Sequence, residues 1–244
     1  MILLAQAVSL AATNYSVDVP MRPPARRPAF ADGFTRTIDQ RRWRFDTERN
    51  RQGWANHEKQ YYAADRRENA RIEHGTLVIE ARREALRSKA DWGGQDYSAA
   101  KLVSRAAFGY GFYEIRAKLP CGRGTWPAIW LLPQSGTWPD MGEIDVMEMV
   151  GWQPLVVHAT LHSAAFNHTL GTQRGAETRL ASACTPYHRY QLYWQPHAIT
   201  LGVDGHGYML LVDHQPRGPA ALPFSVPDHL ILSLAAGAGW GGRP

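Results

Sequence analysis

Ten residues, GEIDVMEMVG at 142–151, hold three carboxylates: Glu143, Asp145 and Glu148. Ile144, Val146, Met147, Met149 and Val150 surround them, so the segment reads as a strand packed on a core rather than a solvated acidic run. Two carboxyl groups about 5–5.5 Å apart can hydrolyse a glycosidic bond with retention, one attacking the anomeric carbon while the other protonates the leaving oxygen. Both must then reach one cleft. A regular strand alternates faces, which puts Glu143 and Asp145 on one side and Glu148, five residues after Glu143, on the other. One extra residue repairs this parity: a β-bulge at Val146–Met147 returns Glu148 to the face of its two partners. The spacing therefore predicts a bulged strand. Carboxylates held so close cannot all ionise cheaply, which leaves one anionic nucleophile and one protonated acid, with Asp145 between them to hold a proton or hydrogen-bond the nucleophile.

The elements around this cluster must present it to a substrate. GTWPAIWLLP (124–133) reads as a strand with Trp126, Ala128 and Trp130 on one face and Ile129 and Leu131 on the other, and Trp138 and Trp152 flank the acids. Each tryptophan taken alone also suits a core. Beside paired acids, indoles suit the flat C–H faces of sugars, whose hydroxyls need carboxylates and amides. From residue 34 onward the pattern is short strands and turns: GTLVIEARRE (75–84), GYGFYEIRAKLP (109–120), YQLYWQ, AITLGVDG and HLILSLAAG, punctuated by Gly, Pro, Asn and Asp. No long helical period and no internal repeat appear, so the chain is expected to be all-β, a two-sheet sandwich in one domain.

The bounds agree. With 244 residues, 44% hydrophobic content and nine Trp, the chain can build one large β core. Its net charge of +5 is carried mainly by Arg interspersed with acids, and no nucleic-acid-binding motif accompanies it. No stretch approaches the roughly 18 apolar residues of a membrane helix. Residues 2–12, ILLAQAVSLAA, resemble the apolar core of an export signal without a preceding Lys or Arg, and residues 13–33, with four Pro, read as a lead-in or linker. Cys121 and Cys184 sit beside turn residues, as fits one disulfide in an exported protein; two unpaired thiols are the alternative.

GEIDVMEMVG resembles the bulged catalytic signature of glycoside hydrolase family 16, as in laminarinases (endo-β-1,3-glucanases). The likeness continues through GWANHEKQYY (53–62), ENARIEHGTLVIEARRE (68–84), YGFYEIRAKLPCGRGTWPAIWLLP (110–133), VHATLHS (157–163), HRYQLYWQPHAITLGVDG (188–205) and HLILSLAAGAGWGG (229–242). The resemblance implies a jelly-roll sandwich with a concave glycan cleft. It implies Glu143 as nucleophile, Asp145 as assisting acid and Glu148 as general acid/base. It also implies Asn56, Trp126, Trp130, Trp138, His162 and Trp240 as cleft residues. The expected substrate is a laminarin-type β-1,3-glucan, with mixed β-1,3/1,4 linkages included; the protein is expected to be a secreted or periplasmic monomer. No cofactor is required for the chemistry. A structural calcium ion on the convex face is common in the family, and its backbone ligands leave no trace in a sequence.

Two departures from the family pattern stand out: Ser233 replaces a common Asn, and the sequence ends soon after GWGG, where family members continue into a last strand. Residues 34–244 are thus expected to form the catalytic domain without that strand. Three other readings use the same fold: hydrolysis of agar- or carrageenan-type galactans, transglycosylation, and glucan binding without catalysis. The last fits poorly, because all three acids are present.

Overall fold

The computed structural model describes residues 12–213, 222–237 and 239–243. Its strands are β1 (Ala12–Pro20), β2 (Trp43–Phe45), β3 (Gln60–Tyr62), β4 (Ala70–Glu73), β5 (Thr76–Ile79), β6 (Arg82–Arg83), β7 (Tyr97–Ala99) and β8 (Lys101–Phe108). They continue with β9 (Gly111–Ala117), β10 (Thr125–Pro133), β11 (Glu143–Glu148), β12 (Val156–His162), β13 (Arg174–Arg179), β14 (His188–Gln195), β15 (Ala198–Val203), β16 (His206–Asp213) and β17 (Asp228–Ala236). The chain is all-β, and no helix among the described residues is long and apolar enough to cross a membrane.

Two antiparallel sheets carry the fold. One has seven strands in the order β13-β12-β11-β10-β17-β8-β2; the other has five, β1-β16-β15-β14-β9. Inward-facing residues of both interlock in one core: Ile129, Leu131, Ile144, Met147 and Leu161 from the first sheet with Leu192, Trp194, Leu201, Met209 and Leu211 from the second. Each such side chain contributes roughly 1.5–3 kcal/mol when taken from water. The alternation read in 124–133 holds: Ile129 and Leu131 are buried in this core, while Trp126 and Trp130 stay partly exposed on the outer face. Between β15 and β16, Asp204 and Gly205 both take positive φ (51° and 91°), the backbone twist that a two-residue hairpin requires.

The lead-in expected at 13–33 is corrected in two places. Ala12–Pro20 is a strand, pairing antiparallel with β16 along its outer edge, so the backbone groups of that edge are taken up inside the protein. Asn14 Nδ2 also donates to the Gly175 carbonyl (2.8 Å), tying β1 to β13 in the opposite sheet. Residues 21–42 contain no strand, but they are fastened down. Phe30 and Phe34 pack on Trp43 at ring distances of 6.0 and 5.5 Å, and the Trp43 indole donates to Asp32 (2.9 Å). Proline density signalled the missing periodicity and concealed the aromatic anchors. The export-like run at 2–12 lies outside the described residues, apart from Ala12, which opens β1.

Candidate active site

The predicted bulge is present. Along β10, Ile129 pairs with Met147 while the next residue, Trp130, pairs with Asp145, so Val146 is skipped; along β12, the register shifts between Asp145 and Glu148. Val146 and Met147 are both buried in the core, and Glu148 re-emerges on the outer face opposite Ala128. Gly151 then fixes the end of this segment. Its N–H donates to Thr125 O (2.8 Å), and a Cβ there would lie 1.7 Å from the Gly122 carbonyl oxygen, a space only glycine leaves open.

Each acid has its own donors. Trp138 Nε1 donates to Glu143 Oε2 at 2.5 Å, and Trp126 Nε1 donates to Glu148 Oε1 at 3.0 Å. His162 Nε2 lies 3.3 Å from Asp145 Oδ2. Asp145 and Glu148 are buried, and Glu143 is partly open.

Burial raises all three carboxyl groups. Glu143 is lifted to about 8 by desolvation and then by the neighbouring Asp145; Asp145 is lifted to about 7 by desolvation. Glu148 is pushed well above the ordinary range by desolvation and by the charges of Asp145 and Glu143, with Trp126 and Thr160 opposing. Groups in such contact give up protons as a set. At neutral pH the first charge appears on the Glu143–Asp145 pair, which shares a hydrogen bond, while Glu148 keeps its proton. The two carboxyls of the pair share one proton at neutral pH, because desolvation opposes charging both. Its transfer to Asp145 before nucleophilic attack stays within the hydrogen bond that joins the two carboxyls. His162, its pKa lowered by burial, is the cross-strand partner of Glu143 and also brings Nε2 to Asp145.

The other tryptophans of the sequence reading gather around these acids. Trp130 donates to Ser233 Oγ (3.1 Å), the position where the family pattern has Asn. Trp240 stacks edge-on against Trp126 (5.3 Å) and extends the aromatic wall beyond Glu148. Trp138 also faces His168 (5.0 Å), a residue the sequence reading did not single out because it lies in a loop without strand alternation. Asn56 meets the segment that carries Trp240. It sits exposed in a short 3-10 turn (Ala55–His57) at φ 57°, with its backbone carbonyl accepting from Gly239 N and its side chain unbonded to any described residue.

Two ionisable residues near the nucleophile were missed. Glu58 accepts from Gln60 Nε2 (2.7 Å) and feels the charges of both Lys101 and Glu143. Lys101 is buried, 2.9 Å from Asp46, with its ammonium over the rings of Trp54 (4.8 Å) and Trp130 (4.7 Å). A lone Lys inside the apolar run AAKLVS was the available signal. Cys121 and Cys184 are bonded to each other, with Cα atoms 5.8 Å apart. Among the described residues, no group of three or more His, Cys, Asp or Glu side chains is placed to hold a metal ion.

A two-sheet sandwich with three buried carboxyls on the outward face of one interior strand, walled by indoles, defines a glycoside hydrolase. The chain belongs to glycosyl hydrolases family 16, whose sequence profile matches residues 57–244. It is 46% identical over 216 residues to a beta-glucanase of Rhodothermus marinus, covering 84% of this chain and 73% of the relative. Among solved structures it resembles SCLam, a non-specific endo-β-1,3(4)-glucanase of the family. The two are 47% identical with a TM-score of 0.89, over 93% of this chain and 87% of the other. It also resembles the catalytic domain of an endo-1,3-β-glucanase (laminarinase) from Thermotoga petrophila, at 31% identity and TM-score 0.80, over 94% and 91% of the two chains.

Proposed function

We propose that this protein is a retaining endo-β-1,3-glucanase that cleaves internal bonds of laminarin-type glucans, mixed β-1,3/1,4 chains included. The observation that carries the reading is the bulge, which brings Glu148 to the face of Glu143 and Asp145 while Trp138 and Trp126 hold the two glutamates from separate sides. Glu143 attacks the anomeric carbon as its proton passes to Asp145. Glu148 gives its proton to the leaving glycosidic oxygen, and then, as a carboxylate, draws a proton from the water that hydrolyses the glycosyl-enzyme. Trp138 holds the nucleophile in place, and the chemistry of this family needs no cofactor. The substrate choice is supported by similarity to a relative named beta-glucanase and to a structure named laminarinase.

Export belongs to the same proposal, supported by the paired Cys121 and Cys184, as does a monomeric state. A structural calcium ion is a separate expectation, read directly by metal analysis of the purified protein. The function is tested by parallel digestion of laminarin, lichenan, agarose and κ-carrageenan, with product sizing and anomer detection by NMR. Laminarin oligosaccharides released with the β-anomer first are expected. Cleavage confined to a galactan, or release of the α-anomer first, overturns the reading.

A further inference from the structure

One row of register-paired residues crosses the seven-stranded sheet. Asp145 of β11 pairs with Trp130 of β10, Trp130 with Ile231 of β17, Ile231 with Val103 of β8, and Val103 with Arg44 of β2. Paired residues on neighbouring strands share a face. The row therefore leads from the catalytic acids outward to Arg44, four interstrand steps of about 4.8 Å, or roughly 19 Å, which is several sugar units.

Past Trp130 the surface sinks into a trough of about 300 Å³, at the small end of ligand pockets. Val103 and Ile231 lie at the bottom of the trough, nearly covered by its polar lining and outside the inter-sheet cluster. Arg44, Lys101 and Arg105 line the trough against a single acid, Asp46. Asp46 is engaged by Lys101. The two arginines are much less committed. Arg44 reaches only Glu48, at 3.6 Å and largely in solvent, and Arg105 donates through Nε alone to the Gln40 carbonyl (2.5 Å). Each guanidinium thus retains donors for a planar or tetrahedral anion. His229 donates through Nδ1 to the Ser104 carbonyl (2.7 Å), which leaves Nε2 as a hydroxyl acceptor in the same lining.

A neutral glucan needs a flat apolar or indole surface and hydrogen-bonding groups. It does not need two arginines with spare donors. We infer that this trough is a distal subsite for a sugar unit carrying an anionic substituent, a carboxylate or a sulfate, on the glucan whose neighbouring bonds are cut at Glu143 and Glu148. The inference rests on the proposed glucanase activity, with selectivity added at the far end of the cleft.

The test compares native laminarin with laminarin oxidised in part at C6 to uronate, and with sparsely sulfated laminarin. The protein is compared with its Arg44→Gln, Arg105→Gln and double variants. The readout is the ratio of kcat/KM on the anionic polymer to that on the native one. In the unaltered protein at low salt this ratio is expected at or above one, falling as ionic strength rises from about 20 to 500 mM and the Debye length shrinks. In the double variant the ratio drops about tenfold, a modest demand on two charge-assisted hydrogen bonds. Discrimination confined to the oxidised polymer identifies a carboxylate, and discrimination confined to the sulfated one identifies a sulfate. The same polymers are titrated calorimetrically into Glu143→Gln protein with and without the arginine changes, so binding is read even where nothing is hydrolysed. Absent hydrolysis of all three polymers overturns the glucanase reading alone. An anionic-to-native ratio, in turnover or in binding, that neither salt nor the arginine variants change overturns the trough, as does rejection of both anionic polymers by the unaltered protein.

Discussion

Replacing Glu143 with Gln removes hydrolysis and is expected to make the protein more stable. Desolvation, then Asp145, lifts the Glu143 carboxyl from 4.5 to about 8. A carboxyl with a raised folded-state pKa stays protonated in the native protein while the unfolded chain releases its proton. Its contribution to stability is therefore complete below the unfolded value and is lost progressively as pH climbs toward about 8. At pH 7 the interval from 4.5 is about 2.5 units, which sets an upper bound on the order of 3 kcal/mol. Glu143 is partly open to water and shares its proton with Asp145, so about 1–2 kcal/mol is the working figure. Glutamine keeps an oxygen to accept from the Trp138 indole and has nothing to ionise. For a domain of this size the gain corresponds to a melting temperature roughly 2–8 °C higher at pH 7. The gain should vanish by about pH 4, where both states are protonated in either protein. Thermal melts followed by near-ultraviolet circular dichroism from pH 4 to pH 8 measure it. A difference in melting temperature that is the same at pH 4 and pH 7, or a variant that melts lower at pH 7, refutes the argument that burial of this carboxyl strains the fold.

Glu148→Ala should lose at least the 10²–10⁴-fold that a proton donor contributes on natural glucan, and azide should restore turnover of aryl glycosides as the β-glycosyl azide; the same rescue from Glu143→Ala would exchange the two roles. In the pH profile, kcat/KM should rise through about pH 7 as the Glu143–Asp145 pair loses its first proton. Asp145→Asn should move that limb to lower pH by removing the neighbour that raises Glu143, and a stationary limb would detach Asp145 from the nucleophile. Serine at Cys121 and Cys184 opens a crosslink spanning 63 residues, worth up to about 4 kcal/mol in the chain-entropy model, so the melting temperature should fall by several degrees; unchanged melting in non-reducing buffer counts against the bond. Removing residues 1–20 should lower the melting temperature more than Asn14→Ala does, because it strips a whole strand from β16 rather than one cross-sheet hydrogen bond. Equal melting of all three proteins would show that β1 adds nothing.

Much of this molecule was legible in one dimension. Residue types spaced by two define faces, so the split of Ile129 and Leu131 from Trp126 and Trp130 could be read directly, and so could the bulge: an odd interval between two acids that must share a face leaves no other regular solution. The Asp-Gly turn between β15 and β16 is equally local, since backbone sterics alone select it. What could not be read depends on partners distant in sequence. Residues 14–19, NYSVDV, do alternate polar and apolar, but the signal is short and runs into a proline-rich stretch, and the strand's partner, the open edge of β16, lies almost 200 residues away. Asp32, Phe30 and Phe34 lie in a proline-rich stretch and are ordered by Trp43. Glu58, Lys101 and His168 acquire their meaning from the Glu143 strand, which lies respectively 85, 42 and 25 residues away from them (143 − 58, 143 − 101 and 168 − 143). The order of acidity among the three carboxyls likewise comes from the fold. The sequence determines that three acids share a face; which of them keeps its proton depends on burial, on the indoles of Trp126 and Trp138 and on the His162 ring, and those surroundings exist only once both sheets have closed on their core.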